Sequence, residues 1–351
     1  MNNNTLSRNS HQYYGAIHIH TKYSDGTGDV NTISNAAKKA GLDWIIITDH
    51  NSLEAEEGIY NGIYVIKGEE ISPQNGNHYL ALGISNPISP NDDAQTNINN
   101  VRNQGGFGFA AHPDERESRK NKHKPLPWYN RNIKPDGVEI WNWFSNWGDN
   151  LNDKNIFKLA YSYFFKNKII TSPKNELNWW DKLNKTDRDI VPAIGGVDAH
   201  ALKIYRYVLP LTVFPYKTCF KTITNVITLD SALSQDFETA KAQILNAIKQ
   251  GKNLIINRKI YNSVPEVTIS NSKSVATCGE AISLMPNTYL NIQSRNEIEA
   301  KVIIDGIKEH QLITKSCKIK LTKAGKYRVE FLHSGRSFAY TNPIQVLQGE
   351  N

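Results

Sequence analysis

Four short apolar runs of this chain each end in a histidine. They are GAIHIH (15–20), DWIIITDH (43–50), FGFAAH (107–112) and PAIGGVDAH (192–200). Short apolar runs that alternate with helical patterns predict parallel strands joined by crossover helices. In α/β barrels, the loops at the carboxyl ends of the strands build the active site. The repeated polar residues at these ends therefore predict a barrel with one polar site at its C-terminal face.

The first strand–helix–strand unit has clear boundaries. A strand over 15–20 precedes Asp29, a residue type that favours the N-cap, and a helical pattern covers 30–40. Gly41 then supplies the stop before the next apolar run. Further strands are predicted at 62–68 and 137–142, and QNGN at 74–77 has the composition of a hairpin turn.

The pattern changes after Tyr261. Residues 236–250 place Phe237, Ala240, Ile244, Ala247 and Ile248 on one helical face, which predicts a closing helix of the first domain. Strand patterns such as EVTIS, TYLNIQS, AKVIIDG, SCKIKLT and KYRVEFL follow, with no long amphipathic helix. We expect a disordered start at 1–14, a barrel domain at 15–261 and a small β-sandwich-like domain at 262–351.

Composition narrows the class of protein. The 351 residues carry 41 basic and 34 acidic side chains, and a net charge of +7 favours an anionic substrate without requiring nucleic acid. Cys219, Cys278 and Cys317 show no Cys-x-x-Cys spacing, so they read as reduced core residues. Without a secretory signal or an apolar stretch near 18 residues, we expect a cytoplasmic protein with no membrane contact.

Imidazoles and carboxylates gather at the predicted strand ends. Side chains two apart on a strand share a face, which pairs His18 with His20 and Asp198 with His200. Six of the ten histidines lie at strand ends or at the hairpin, namely His18, His20, His50, His78, His112 and His200. Together with nearby acids they form the ligand types that bind zinc, iron and manganese.

The order of these motifs resembles that of the PHP (polymerase and histidinol phosphatase) superfamily. The motifs are HIH with SDG five residues on, TDH, GEEIS followed by a hairpin histidine, AHP and VDAH. The resemblance implies a distorted (β/α)7 barrel with a cluster of two or three divalent ions at its C-terminal face, with zinc, manganese or iron as the candidates.

The resemblance also implies nine metal ligands in three sets. They are His18, His20 and Asp198 for the first ion, Glu70, His78 and His112 for the second, with Glu70 bridging, and Asp25, His50 and His200 for the third. Adjacent strand residues face opposite sides, so only one of Glu69 and Glu70 can serve, and the family order favours Glu70. Nine ligands for three ions leave open positions for water and substrate.

Other residues near these motifs have candidate supporting roles. Asp49 is expected to accept hydrogen bonds that orient a ligand histidine or cap a loop. Glu139 fits either a hydrogen-bonding role or contact with metal or substrate, and is not counted among the metal ligands. In the basic loop after AHP, Arg116 and His123 are the candidates for holding a substrate phosphate. The stretch WNWFSNW, with three tryptophans, fits either core packing or a stacking wall for an aromatic group.

We interpret the chain as a metal-dependent hydrolase, with a phosphoesterase as the first hypothesis. Divalent ions lower the pKa of bound water from about 15.7 to near 7, so a metal-bridging hydroxide would attack a small phosphorylated molecule such as a nucleotide. Asp198 and His200 are the candidate catalytic groups, as carriers of the proton. Nucleic acid is expected only as a short substrate, since no nucleic-acid-binding motif is present.

Two alternatives remain open. The whole layout, with a PHP barrel, a closing helix and a β domain, also resembles the carbaryl-hydrolase-like branch of the superfamily, which implies amide or carboxylic ester cleavage. The other alternative is a metal-containing binding module without catalysis. A panel of phosphate and carboxylic esters, assayed with each metal, separates the three.

Overall fold

The computed structural model describes residues 10–115, 125–149, 170–206 and 209–349. The strands of the first part are β1 (His11–Ile19), β2 (Trp44–His50), β3 (Gly58–Tyr60), β4 (Ile63–Ile71), β5 (Tyr79–Leu82), β6 (Phe107–Ala110), β7 (Gly137–Asn142), β8 (Ala193–Ala199), β9 (Lys203–Arg206) and β10 (Leu209–Thr212). The helices are α1 (Val30–Ala40), α2 (Ala94–Asn103), α3 (Trp143–Asp149), α4 (Lys174–Thr186), α5 (Tyr216–Cys219) and α6 (Phe237–Gln250).

The later strands are β11 (Ile223–Leu229), β12 (Asn253–Asn257), β13 (Glu266–Ser270), β14 (Val275–Ala276), β15 (Ala281–Ser283), β16 (Tyr289–Ile304), β17 (Ile307–Lys320), β18 (Gly325–His333), β19 (Arg336–Thr341) and β20 (Ile344–Leu347). No helix within the described ranges is long and apolar enough to cross a membrane.

Seven strands close into a barrel, in the order β1, β2, β4, β5, β6, β7, β8 and back to β1. Five of the seven pairings are parallel, whereas β5 runs antiparallel to both β4 and β6. The mixed α/β fold with a seven-stranded barrel is therefore confirmed. Its parallel strands direct their carboxyl ends to one face of the barrel.

The layout differs from a regular (β/α)7 barrel at two steps. Residues 72–78 join β4 to β5, and this connection is too short for a parallel crossover, which needs about a dozen residues or more. The chain turns back as a hairpin here, with Gly76 and Asn77 at positive φ angles of 98° and 59°. Between β2 and β4 lies the short strand β3, which pairs antiparallel with β4, rather than a helix.

Two helices form where the sequence predicts them. The Asp29 side chain accepts a hydrogen bond from the Thr32 backbone N–H at the start of α1, and Gly41 ends the helix in the left-handed conformation at φ 71°. In α6, the apolar face packs in one cluster with Trp44, Ile46 and Ile66 on the barrel strands. Alternate strand residues Ile45 and Ile47 belong to a different core cluster, as the two-residue period requires.

The first strand is longer than predicted, because residues 11–14 are part of β1. His11 to Gly15 pair antiparallel with Leu229 to Asn225 of β11, while the later residues of β1 pair in parallel with β2 and β8. The predicted disordered start at 1–14 thus does not apply to residues 11–14. The pairing satisfies their backbone groups and places them in the sheet.

The barrel sheet continues directly into the C-terminal strands. β11 pairs with β12, and β12 pairs with β19 through Leu254–Thr341 and its neighbours. Strand β16 has a register shift between Gln293 and Ile298, so its first half pairs with β13 and its second half with β18. The predicted strands TYLNIQS and AKVIIDG are therefore parts of one strand. Both halves of this strand contribute side chains to a second apolar cluster, and the sandwich-like arrangement remains a prediction.

Three buried asparagines connect β8 to these later strands. The Asn342 side chain accepts a hydrogen bond from the Ala193 N–H at 2.7 Å and donates one to the Ala193 carbonyl at 3.0 Å. Asn253 donates to that same carbonyl at 3.1 Å. The Asn225 side chain likewise accepts a hydrogen bond from the Gly195 N–H at 2.9 Å and donates one to the Gly195 carbonyl at 2.7 Å. These amides satisfy backbone groups at the start of the strand that ends in Asp198.

Candidate metal centre

The nine predicted ligands lie together at the C-terminal face of the barrel. Glu70 is at the centre of this cluster and is fully buried. Its Oε2 lies 3.2 Å from His18 Nε2, 3.4 Å from His20 Nε2 and 3.1 Å from His50 Nδ1. Its Oε1 lies 2.8 Å from His78 Nδ1 and 3.2 Å from His112 Nε2. Five imidazoles from four different segments therefore converge on one carboxylate.

The other two carboxylates flank Glu70. Asp198 Oδ1 lies 3.6 Å from His18 Nε2, 3.4 Å from His20 Nε2 and 3.5 Å from His200 Nδ1. Asp25 Oδ1 lies 3.2 Å from His200 Nε2, 3.7 Å from His20 Nδ1 and 3.8 Å from His50 Nε2.

Four groups of these side chains have ligand atoms within 4.8 Å of one another. They are His18, His20 and Asp198; His18, Glu70 and His112; His50, Glu70 and His78; and His20, Asp25, His50 and His200. The first group is the first predicted set, and the last contains the third predicted set. The second predicted set is divided, because His112 and His78 fall into separate groups with Glu70. Glu70 belongs to two groups, as a bridging ligand requires. The use of these residues as metal ligands stays a prediction.

The chemistry of this donor set fits divalent cations. His20 Nε2 and His112 Nδ1 are buried, and neither has a hydrogen-bond partner among the described residues. An unpartnered buried nitrogen is costly unless a ligand satisfies it. Imidazole and carboxylate donors suit zinc, iron and manganese. Each of the four groups could therefore hold a cation.

The electrostatics keep the carboxylates ionised. Burial raises the pKa of Glu70, but His50, His18 and the other imidazoles outweigh it and hold the pKa well below its usual range. The pKa of Asp198 is likewise lowered, because His18 and His20 overcome the effect of burial. Burial, and then His200, lower the pKa of His20 to about 4, so this imidazole is neutral and has a free lone pair.

Glu139 and Asn142 support the cluster from β7. Glu139 Oε1 lies 2.8 Å from His18 Nδ1, and its Oε2 accepts the His112 backbone N–H at 2.6 Å. The Asn142 amide donates to Glu139 Oε2 at 3.1 Å and to Asp198 at 3.4 Å. Of the two roles predicted for Glu139, hydrogen bonding fits this placement. Sequence reasoning missed Asn142, although it ends the same strand GVEIWN.

Asp49 caps the loop after β1. It accepts hydrogen bonds from the Thr21 backbone N–H at 2.7 Å, the Thr21 hydroxyl at 2.7 Å and the Ser24 hydroxyl at 2.6 Å. Of its two predicted roles, loop capping fits this geometry.

Glu69, the neighbour of Glu70 on β4, faces away from the cluster. Its carboxylate accepts a hydrogen bond from the Ile88 N–H at 2.9 Å, as the alternation of strand side chains predicts.

Tyr216 is a second residue that sequence reasoning missed. Its hydroxyl donates to the His20 carbonyl at 2.7 Å and accepts the Gly28 N–H at 3.0 Å. Burial raises the pKa of Tyr216 to about 12, so the hydroxyl keeps its proton. Tyr216 lies in a short helix with no recognisable motif, and the fold alone brings it to this loop.

Three of the candidate ligands have unusual backbone conformations. His18, His112 and Asp198 have positive φ angles of 68°, 28° and 49°. The β1–β8 register shifts between Ile17 and Ile19, so His18 occupies a bulge rather than a regular strand position. Left-handed backbone is unfavourable for such residues and concentrates at functional sites. His18 and His20 thus reach the same site, as predicted, although His18 departs from regular strand geometry.

The structure describes some, but not all, of the residues predicted to contact substrate. Arg116 and His123 lie outside the described residues. Trp141 and Trp143 are buried, and their rings pack against Tyr340 and Phe214 at centroid distances of 5.3 and 5.1 Å. These two tryptophans therefore take the core-packing role. Trp147, at the end of WNWFSNW, is only half-buried.

A barrel with a buried histidine and carboxylate cluster at its strand ends defines a candidate metalloprotein. Residues 16–109 match the family model described as PHP domain. This segment is therefore similar to the PHP domain, and the resemblance seen in the motifs is confirmed. Similarity to the carbaryl-hydrolase-like branch stays a prediction.

Individual relatives were also found. An uncharacterized protein of Methanocaldococcus jannaschii is 30% identical in an alignment of 115 residues that covers 28% of this chain and 66% of that protein. A two-domain protein from Bacteroides vulgatus, containing a predicted PHP-like metal-dependent phosphoesterase, aligns over 95% of both chains with 14% identity and a TM-score of 0.46. PsfC from Pseudomonas syringae aligns over 69% of this chain and 90% of its own with 11% identity and a TM-score of 0.42.

Proposed function

We propose that this protein is a metal-dependent phosphoesterase, a phosphatase or phosphodiesterase, that acts on a small phosphorylated molecule. The observation that carries the proposal is the convergence of six imidazoles and three carboxylates on one pocket of a chain with a PHP domain. A structural metal site is closed by about four ligands, whereas nine ligands shared among several ions leave positions for substrate.

Cations bound there would neutralise charge on the phosphoryl oxygens and lower the pKa of a nearby water. Hydrolysis forms a bond between the water oxygen and phosphorus and breaks the bond between phosphorus and the leaving oxygen. One proton of the water must then reach the leaving oxygen. Asp198 is the candidate acceptor, because its carboxylate lies within the cluster, 3.6 Å from His18 and 3.5 Å from His200.

His200 is the candidate to pass this proton on. Its Nδ1 lies 3.5 Å from Asp198 Oδ1, and its Nε2 lies 3.2 Å from Asp25, whose side chain is 56% exposed. The pair thus connects the buried centre with the open edge of the pocket. In the described part of the chain, no lysine or arginine forms an ion pair with the nine side chains, so the cations would provide most of the positive charge that meets a phosphate.

The test combines metal analysis with a substrate panel. Purified protein is analysed for zinc, manganese and iron, and is then assayed on phosphate monoesters, phosphodiesters and carboxylic esters before and after chelation and reloading. We expect bound metal and phosphate ester hydrolysis that chelation abolishes. Hydrolysis of carboxylic esters or amides alone would favour the acyl-hydrolase alternative, and bound metal with no turnover would favour a binding module.

Paired variants tie any activity to the site. Asp198→Asn removes the candidate proton acceptor, and we expect a loss of about 100-fold or more in kcat, the usual contribution of general acid–base catalysis. Glu238→Gln is the matched control, because Glu238 is an exposed acid in the first turn of α6. Equal activity of the Asp198→Asn variant and the control would contradict the assigned role.

A further inference from the structure

Burial varies steeply across the candidate metal centre. The side chains of His18 and Glu70 are 0% and 1% exposed, whereas those of His50 and Asp25 are 30% and 56% exposed. Among the described residues, the exposed edge of the centre is therefore formed by Asp25 and His50, beside His200. The groups that line this edge meet the part of the substrate that projects away from the reacting centre.

An aromatic ring borders this open edge. The Phe144 ring lies 5.8 Å from the His200 ring, centroid to centroid, and its side chain is only half-buried. Trp147 stacks nearly parallel to Phe144 at 6.4 Å and 23°, and Phe214 packs edge-on against it at 6.1 Å. Phe144 is thus held in position by other rings while part of its surface stays accessible.

Further apolar groups occur on the loops that carry the candidate ligands. Among the residues the structure describes, seven large apolar side chains are exposed, and three of them lie on these loops. Tyr23 is 38% exposed and lies two residues before Asp25, and Leu202 is 36% exposed and follows His200 by two residues. Tyr129 is 53% exposed, and its N–H donates to Asn77, the residue before His78. These side chains add exposed apolar surface to segments next to the candidate ligands.

We propose that the substrate carries a flat aromatic or heteroaromatic group that lies against Phe144 while its phosphoryl group reacts at the centre. This inference rests on the proposed phosphoesterase function and adds the class of leaving group. A sugar or short alkyl group would leave the accessible part of the Phe144 ring in water. An aryl group would cover this surface and gain contact with the Phe144 ring. Pairs of aromatic rings favour offset-stacked or edge-on arrangements.

The experiment compares two phosphate monoesters whose leaving groups are both primary alcohols. Benzyl phosphate carries a ring and ethyl phosphate does not, so kcat/KM for the two reports the contribution of the ring. For the wild-type protein we expect benzyl phosphate to be preferred by about tenfold or more, which equals about 1.4 kcal/mol. In the Phe144→Leu variant we expect this ratio to fall about tenfold, mainly through a higher KM for benzyl phosphate.

The control is Phe237→Leu, which replaces another half-buried phenylalanine in the first turn of α6 and should keep the wild-type ratio. Metal content is measured for every variant, so that loss of the centre is recognised separately. If Phe144→Leu lowers kcat/KM equally for both esters, or if wild type shows no preference, the aromatic inference is wrong and the phosphoesterase proposal stands. If metal-loaded wild type hydrolyses neither ester nor any other phosphate ester, the proposed function itself is wrong.

Discussion

The Tyr216 hydroxyl offers a direct test of how the candidate metal centre is held. Tyr216→Phe removes this one oxygen and keeps the ring. The His20 carbonyl and the Gly28 N–H then lose the partners that lie 2.7 and 3.0 Å away. Neither group has another hydrogen-bond partner among the described residues. A buried polar group without a partner costs about 1–3 kcal/mol, so two such groups lower the free energy of unfolding by about 2–6 kcal/mol.

The same substitution should loosen one part of the metal centre more than the rest. The Tyr216 hydroxyl also lies 3.1 Å from the His200 carbonyl, so it joins the loops that carry His20, Asp25 and His200. We expect the variant to bind fewer metal ions per chain than wild type, with partial rescue at high metal concentration. Urea unfolding followed by fluorescence measures the stability, and elemental analysis of dialysed protein measures the metal.

Tyr64→Phe is the matched control for this prediction. The Tyr64 hydroxyl donates a single hydrogen bond, to the Ser234 carbonyl at 2.7 Å, and contacts none of the candidate ligands. Its removal should cost about 1 kcal/mol and leave the metal content unchanged. If Tyr216→Phe costs no more than Tyr64→Phe and binds metal as wild type does, the reasoning on Tyr216 is refuted.

Three other substitutions have defined outcomes. Glu139→Gln removes the negative charge beside His18. Metal affinity, measured by competition with a chelating dye, should fall about 10- to 100-fold, as it does for other partners of metal-binding histidines. Unchanged affinity would contradict the supporting role of Glu139. Gly196→Ala places a methyl group onto Glu139 Oε1, so the variant should lose both stability and metal, as seen by thermal unfolding and elemental analysis. Asn342→Leu removes a hydrogen-bond partner of the Ala193 N–H and carbonyl. The free energy of unfolding, measured in urea, should fall by about 2–5 kcal/mol. A decrease below about 1 kcal/mol would show that the asparagine network contributes little to stability.

Strand periodicity predicted the cluster at the strand ends, and the family resemblance added the seven-stranded barrel and the choice of ligands. The choice of Glu70 over Glu69 follows from alternation together with the family motif, and the structure places Glu70 in the cluster and Glu69 on the other face. The caps of α1 were readable because Asp29 and Gly41 act on their immediate neighbours. Features set by local geometry were therefore accessible before the fold was known.

Features that depend on distant contacts were not accessible. Tyr216 reaches the His20 carbonyl across 196 positions of sequence, and nothing around it marks that contact. The bulge at His18 depends on the register of β1 against β8, which a single strand does not reveal. In β16, the polar residues 294–297 resemble a turn, yet pairing with β17 on both sides of this segment keeps it extended.

The hydrogen bonds of Asn225, Asn253 and Asn342 limit where this protein can be truncated. A chain shortened after residue 261 would keep every candidate ligand and still remove the amide that holds both backbone groups of Ala193. It would also expose the edge of β12 that pairs with β19. Recombinant work that seeks the smallest stable unit should therefore retain the chain through Leu347, where the last strand ends.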